Sequence, residues 1–292
     1  MENLSGSCGG NAWAVAVQEY LDLYSTMRHA DNTKRKTEHI LKTFTKWIGF
    51  REPKVEDVER YMAERVKAGA SPATANLDMR VIKACARWAL ERDKIKQNPT
   101  KGLKQYRHYP LERKRFMPLE DVKKLIAWMD AEGWQDFSDL IRIISSCGLR
   151  VCEALYLRAE DVDPFNRSIT ITPREGWTTK DREKRTIPLD SVSYEVLTRR
   201  VAKRKVGLIW PSKKGTPLGY RNCFRKLAAA ASGAGLEWAN FKSLRSLFAT
   251  VAAETLTPAQ LGKLLGHQST YVQDRWYVHQ RHINVPTVSV LG

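Results

Sequence analysis

The chain has 292 residues, 49 of them Lys or Arg against 32 Asp or Glu, so it carries a formal net charge of +17 and has a pI of about 9.7. With 42% hydrophobic and 28% charged residues, its composition is that of a folded chain long enough for two domains, which excludes a disordered or fibrous protein. So large a basic excess repels itself unless a polyanion is the working partner, and nucleic acid comes ahead of a membrane surface.

The five cysteines (Cys8, Cys85, Cys147, Cys152, Cys223) are scattered, and none forms a CxxC pair or a Cys/His cluster at zinc spacing. They read as reduced thiols of a cytoplasmic protein. The start MENLSGSCGGN has no basic, apolar signal pattern, and no stretch approaches a membrane span. There is no GxxxxGK[ST] loop, no HExxH and no dinucleotide fingerprint. The expected chemistry therefore uses no cofactor and no metal.

After a tail over residues 1–11, Ala12 to Arg28 sets Trp13, Val17, Tyr20, Leu21 and Tyr24 on one helical face. A second helix has Ile40, Leu41, Phe44, Trp47 and Ile48 as its stripe, with Lys34, Arg35 and Lys36 near its start. A third runs from about Val55 to Lys67. Ser71-Pro72 supplies a capping serine and a first-turn proline for a fourth helix, expected to end before Asn98-Pro99. Four amphipathic helices over residues 12–100 make a small helical domain. On its last helix Arg80, Lys83 and Arg87 lie mostly off the apolar stripe and are expected to face DNA phosphates. Residues 101–115, including KGLKQYRHYPLERK, are basic, aperiodic and broken by proline, and read as a linker between two halves that close on a duplex.

A second domain is expected over residues 116–292, its helical pattern starting from Pro118. LEDVKKLIAWM predicts one helix, and Asp139 to Ser146 predicts an apolar one stopped by Gly148, after which Arg150 opens the next. Ser168–Thr172 and Arg185–Leu189 predict two strands joined by a basic turn around TTKDREK. Further helices are expected near 191–203, 219–231, 241–253, 257–265 and 268–277. The fold expected is mainly α, with a mixed α+β second domain built on a small antiparallel sheet.

Three stretches then resemble the signature boxes of the tyrosine recombinase (phage integrase) family. They are CGLRVCEALYLRAEDVD at 147–163, TTKDREKRTIPL at 178–189, and FKSLRSLFAT, LLGH and RWYVH within 241–279. The first domain resembles the family's core-binding domain, and the chain is similar to its simpler, Xer-type members. The resemblance implies cleavage of one DNA strand by a tyrosine oxygen, giving a 3′-phosphotyrosine that a second 5′-hydroxyl resolves. Carried over residue by residue, it gives Arg150 and Arg245 the non-bridging phosphate oxygens and makes Lys180 the general acid, with Lys184 and Arg182 as competitors in the same turn. His267 becomes a hydrogen-bond donor at the phosphate, Glu153 a brace for the site and Tyr277 the nucleophile.

Two positions depart from the family pattern. Lys242 stands where histidine is usual, as it does in the related type IB topoisomerases. The position nine residues after the LGH histidine is Trp276, so Tyr277 is one residue late, which a single insertion after His267 explains; Tyr271 reads as a packing aromatic. The family further implies double-stranded DNA with inverted half-sites as partner, a homodimer on one site, a homotetramer in the synapse, accessory DNA-bending proteins, and a nucleoid-associated location. The alternatives are a type IB-like topoisomerase and a non-cutting DNA-binding regulator.

Overall fold

A computed structural model describes residues 12–27, 29–49, 51–107, 117–174 and 184–266. The chain divides into two units, Met1–Leu111 and Glu112–Gly292. Of the expected linker, residues 108–115 lie outside the described residues, as does the helix expected at 268–277.

The first unit holds helices α1 (Ala12–Thr26), α2 (Asp31–Ile48), α3 (Val55–Lys67) and α4 (Pro72–Leu90). Their apolar stripes meet in one core, with Trp13, Leu41, Phe44 and Ile82 wholly out of solvent. Each such side chain contributes about 1.5–3 kcal/mol through burial. The Tyr61 ring meets Phe44 edge-on at 5.1 Å. The start of α4 follows its sequence, since the Ser71 hydroxyl accepts from the Thr74 amide at 3.2 Å and Pro72 fills the first turn.

The end of α4 falls before Asn98-Pro99, as expected, and lies at Leu90. Asp93 adopts a left-handed conformation (φ 52°). The Lys94 amide folds back to the Ala89 carbonyl at 2.9 Å and the Asp93 amide to that of Leu90 at 3.1 Å. This is a left-handed helix stop in which aspartate takes the place usual for glycine, and so it carries no Gly or Pro signal. Ile95 then turns back into the core.

The second unit contains α5 (Leu119–Ala131), α6 (Gln135–Cys147), α7 (Val151–Leu155), a short 3-10 turn (Ala159–Asp161), and strands β1 (Val162–Asp163), β2 (Ser168–Ile171) and β3 (Arg185–Pro188). Helices α8 (Ser191–Lys203), α9 (Tyr220–Gly233), α10 (Phe241–Ala252) and α11 (Pro258–Leu265) follow. The strands form an antiparallel sheet in the order β1-β2-β3; β1 was not anticipated. The helix α6 begins at Gln135, a turn earlier than expected, and packs against α5, α8 and α10. Leu140, Ile141, Ile143 and Ile144 are all wholly buried on it, as befits a helix surrounded on most sides. Its one deeply buried carboxylate, Asp139, is held by Arg199 and Arg200 of α8, each at 2.8 Å.

Among the described residues no helix is long and apolar enough to cross a membrane. Cys85, Cys147, Cys152 and Cys223 are unbridged thiols. Burial pushes Cys85 and Cys147 up to about 12, so both stay protonated and inert near neutrality.

Gly148 ends α6 in the left-handed region (φ 61°). A Cβ there would sit 2.3 Å from the Phe248 ring on α10. Both backbone and space therefore require glycine. Gly148→Ala is expected to cost about 2 kcal/mol and to lower the melting midpoint by roughly 4–8 °C, as read by scanning calorimetry; an unchanged midpoint would show that Phe248 yields without cost.

Candidate active site

The glycine that stops α6 also sets up the site, because the chain turns through Leu149 and restarts at once as α7. Arg150 is the extended residue just ahead of that helix (φ −69°, ψ 144°), and Glu153 occupies its third position. The Glu153 carboxylate turns back to accept from the Arg150 backbone amide at 2.8 Å, while its other oxygen accepts from the Arg150 guanidinium at 3.0 Å. The R-x-x-E spacing is thus a helix-start motif in which the acid closes on the residue three before it. It fixes both side chains to the backbone.

Two more arginines converge on the same carboxylate. Arg185, the first residue of β3, gives Nη1 to Oε1 at 3.0 Å and Nη2 to Oε2 at 2.6 Å. Arg245, on α10, lies 3.7 Å from Oε2. The Glu153 side chain is 1% exposed, Arg245 3%, Arg185 9% and Arg150 23%. Arg150 is therefore the member of the cluster that solvent, or a ligand, reaches most readily.

The same three guanidiniums also take the closing carbonyls of α11. Arg185 Nε donates to Leu264 O at 2.9 Å, Arg245 Nη2 to Leu265 O at 2.6 Å, and Arg150 Nη2 to Gly266 O at 3.1 Å. The last carbonyls of a helix have no partner within it, and they form the negative end of its dipole. Gly266 makes the arrangement possible by adopting φ 61° at the helix end. Arg245 also donates to Gly148 O at 2.7 Å, which ties the turn before α7 to α10.

The electrostatics follow from the count of charges. Among the described residues, three guanidiniums face one carboxylate and meet the partial negative charge at the end of α11. Burial alone would raise the Glu153 carboxyl, but the hydrogen bonds and charge of Arg185, then the charges of Arg245 and Arg150, outweigh it and hold the group below its ordinary value. What results is a fixed, partly desolvated positive cluster on two helices and a strand, suited to an oxyanion.

Of the residues expected in the site, Arg150, Glu153 and Arg245 are therefore brought together. Lys242 sits one turn before Arg245 on α10 and is half-buried. That helix is capped by Asn240, whose carbonyl oxygen accepts from the Lys242 and Ser243 amides at 3.0 and 3.1 Å. Lys180, His267 and Tyr277 lie outside the described residues, as do Arg182 and Tyr271; Lys184 is exposed. In the first unit Arg80, Lys83 and Arg87 are all exposed on α4, at the three- and four-residue spacing of one face.

Arg185 was missed by the sequence reading, although a signal existed. Strand residues alternate in face, and Ile187, two positions on, is buried. Arg185 pairs with Ile171 across the sheet, as Ile187 pairs with Ile169. An arginine in phase with core isoleucines needs a buried acid, and Glu153 is that acid.

Residues 115–282 match the model of the phage integrase family, which is more than half of the chain. The chain belongs to that family, as the three sequence boxes led one to expect. It is a tyrosine recombinase by that membership, a DNA strand transferase. Among solved structures it is similar to the integrase of transposon Tn1549 in complex with circular intermediate DNA, with 18% identity, a TM-score of 0.75, and 93% of this chain and 96% of that one covered. It is also similar to a lambda integrase tetramer bound to a Holliday junction, with 15% identity, a TM-score of 0.76, and 99% and 84% covered. At such identities the likeness establishes a shared fold, which agrees with the expected mainly α architecture and small antiparallel sheet.

The hold of three arginines on Glu153 predicts a particular dependence on pH. A carboxyl whose folded value is depressed contributes stability that is fully present above its unfolded value, about 4.3, and lost as pH falls through the folded one. Urea unfolding of Glu153→Gln is expected to show a loss of about 3–5 kcal/mol at pH 7, narrowing toward wild type as the pH drops below 4. A gap of equal size at both pH values would mean that the carboxylate charge is not what stabilises the cluster.

Proposed function

We propose that this chain is a site-specific recombinase in which Arg150 and Arg245 bind the scissile phosphate and Tyr277 attacks it. The observation that carries the reading is the convergence of Arg150, Arg185 and Arg245 on buried Glu153, which fixes the guanidiniums in place. The attacking phenol gives up its proton to solvent as its oxygen forms a bond to phosphorus and the bond to the 5′ oxygen breaks. Lys180, as general acid, delivers a proton to that leaving oxygen. A 5′-hydroxyl from a second strand then attacks the phosphotyrosine and returns the tyrosine with its proton. One phosphodiester is exchanged for another, so no nucleotide is consumed.

Planar guanidiniums suit the crowded phosphorus centre because each offers paired donors at fixed spacing. Lys242, one turn from Arg245, supplies a third cation, as a point charge toward a non-bridging oxygen, and His267 a further donor. Glu153 orients the arginines without touching the phosphate. In the first unit, read as a core-binding domain over residues 12–100, the exposed stripe of Arg80, Lys83 and Arg87 contacts backbone phosphates and sets register. The relatives' complexes, a lambda integrase dimer on a core site and a tetramer on a Holliday junction, support an assembly of this chain on DNA; inverted half-sites, DNA-bending proteins and a place within the nucleoid are part of the proposal. Both neighbours serve mobile DNA, a transposon and a phage, and the same setting is proposed here.

A nicked duplex that traps the covalent intermediate tests the chemistry. Protein joined to the 3′ end is expected from wild type and from Tyr271→Phe but not from Tyr277→Phe, as resolved on a denaturing gel. If wild type binds the duplex tightly and gives no adduct, the chain is a binder rather than a recombinase. The first unit's role is read separately. Replacing Arg80, Lys83 and Arg87 together by alanine should lower the slope of log Kobs against log salt by about 2–3, since each lost phosphate contact removes about 0.9. An unchanged slope would take that face of α4 off the DNA.

A further inference from the structure

We propose that Arg185 is a positioning residue for strand transfer, which seats the end of α11 against the Arg150–Glu153 turn so that both phosphate-binding arginines keep their place. The inference rests on the function proposed above and adds a residue that the sequence boxes do not single out. The geometry is specific. Arg185 uses both Glu153 oxygens through its two terminal nitrogens, at 3.0 and 2.6 Å, and it uses its remaining nitrogen on Leu264 O at 2.9 Å. One guanidinium thereby links α7, β3 and the last turn of α11.

Its neighbours depend on that link. Arg150 divides its donors between Glu153 and Gly266 O, and Arg245 between Gly148 O and Leu265 O. Both therefore take α11 carbonyls adjacent to the one that Arg185 holds. If Leu264 shifts, Leu265 and Gly266 shift with it, and each phosphate-binding arginine loses a fixed partner. Contact at the helix end is close, since a Cβ on Gly266 would lie 3.1 Å from Arg185 Nη1. His267, the next residue along the chain, is one of the proposed phosphate donors. A lysine at 185 keeps the charge but cannot reach two carboxylate oxygens and a carbonyl at once, because it lacks the fork.

A role through Glu153 has a signature in pH. Among the described residues, the groups facing that carboxylate are Arg150 just ahead of α7, Cys152 of α7, Arg185 of β3 and Arg245 of α10, while α11 offers backbone carbonyls. Arg185 is the foremost of the influences that lower the carboxyl. Without it, burial and the weaker remaining charges let the group protonate at higher pH.

The experiment is single-turnover cleavage of the nicked duplex at saturating DNA, across pH 4.5 to 8, for wild type, Arg185→Lys and Arg185→Gln, with binding measured alongside. Cleavage is expected to fall about 100-fold in Arg185→Gln, with affinity for DNA within about threefold of wild type and the acid limb moved to higher pH. Arg185→Lys should fold as wild type does by near-UV circular dichroism yet recover less than a tenth of the lost rate. Three outcomes would overturn the inference alone, with wild type still cutting: Arg185→Lys at the wild-type rate, a loss of rate matched by an equal loss of DNA affinity, or an acid limb that stays in place. Wild type that binds and leaves no adduct would overturn the recombinase reading, and this inference with it.

Discussion

A single carboxylate, sealed from water and shared among three guanidiniums, is the constraint on which the second unit depends. Glu153 could not remain charged at 1% exposure without those partners, because burying an unpaired carboxylate costs several kcal/mol. The partners come from three different elements, so the need to neutralise one acid draws α7, β3 and α10 together. The arginines in turn need more acceptors than one carboxylate provides, and the end of α11 supplies them as three successive carbonyls. A buried ion cluster of this kind is a weak source of net stability compared with apolar packing. Its return is geometry, a set of cations fixed before the reaction begins.

The surrounding fold serves the same end. The apolar helix α6 is the floor of the unit, and its stop at Gly148 decides where Arg150 begins and presents a carbonyl to Arg245. The sheet is small, but the pairing of Ile169 with Ile187 and of Ile171 with Arg185 fixes the one strand side chain that reaches Glu153. Asp139 with Arg199 and Arg200 repeats the device on the other side of α6. There the carboxylate is met by Arg199 and Arg200 of α8 and, at 3.4 Å, by Arg142 of α6 itself, and it joins α6 to α8.

Much of this could be read along the chain because the relevant signals are local. Ser71-Pro72 and the glycine after Cys147 mark helix ends through side-chain or backbone preferences that act within a turn. Arg150, Glu153 and Arg245 stand at fixed spacings inside recognisable boxes. What escaped were features decided across the fold. The left-handed stop at Asp93 carries no glycine, and only backbone hydrogen bonding reveals it. Arg185 sits in a strand recognised as such, but its phase with the buried Ile187 was not used. The link from its guanidinium to Leu264 crosses 79 positions, beyond the reach of any local pattern. The three-fold sharing of α11's closing carbonyls could not be foreseen from spacing, because it depends on where a helix from late in the chain comes to rest.

That separation along the chain also bears on how the protein forms. Arg150 meets Gly266 across 116 positions, and Arg245 meets Gly148 across 97. Such contacts close only after large loops have lost their freedom, and long-range pairings of this type slow folding and come late in it. A nascent or partly folded chain can hold its helices and still lack the cluster. Assembly of the cluster is thereby tied to completion of the tertiary fold. On the function proposed above, a chain that has not finished folding has nowhere to put the phosphate.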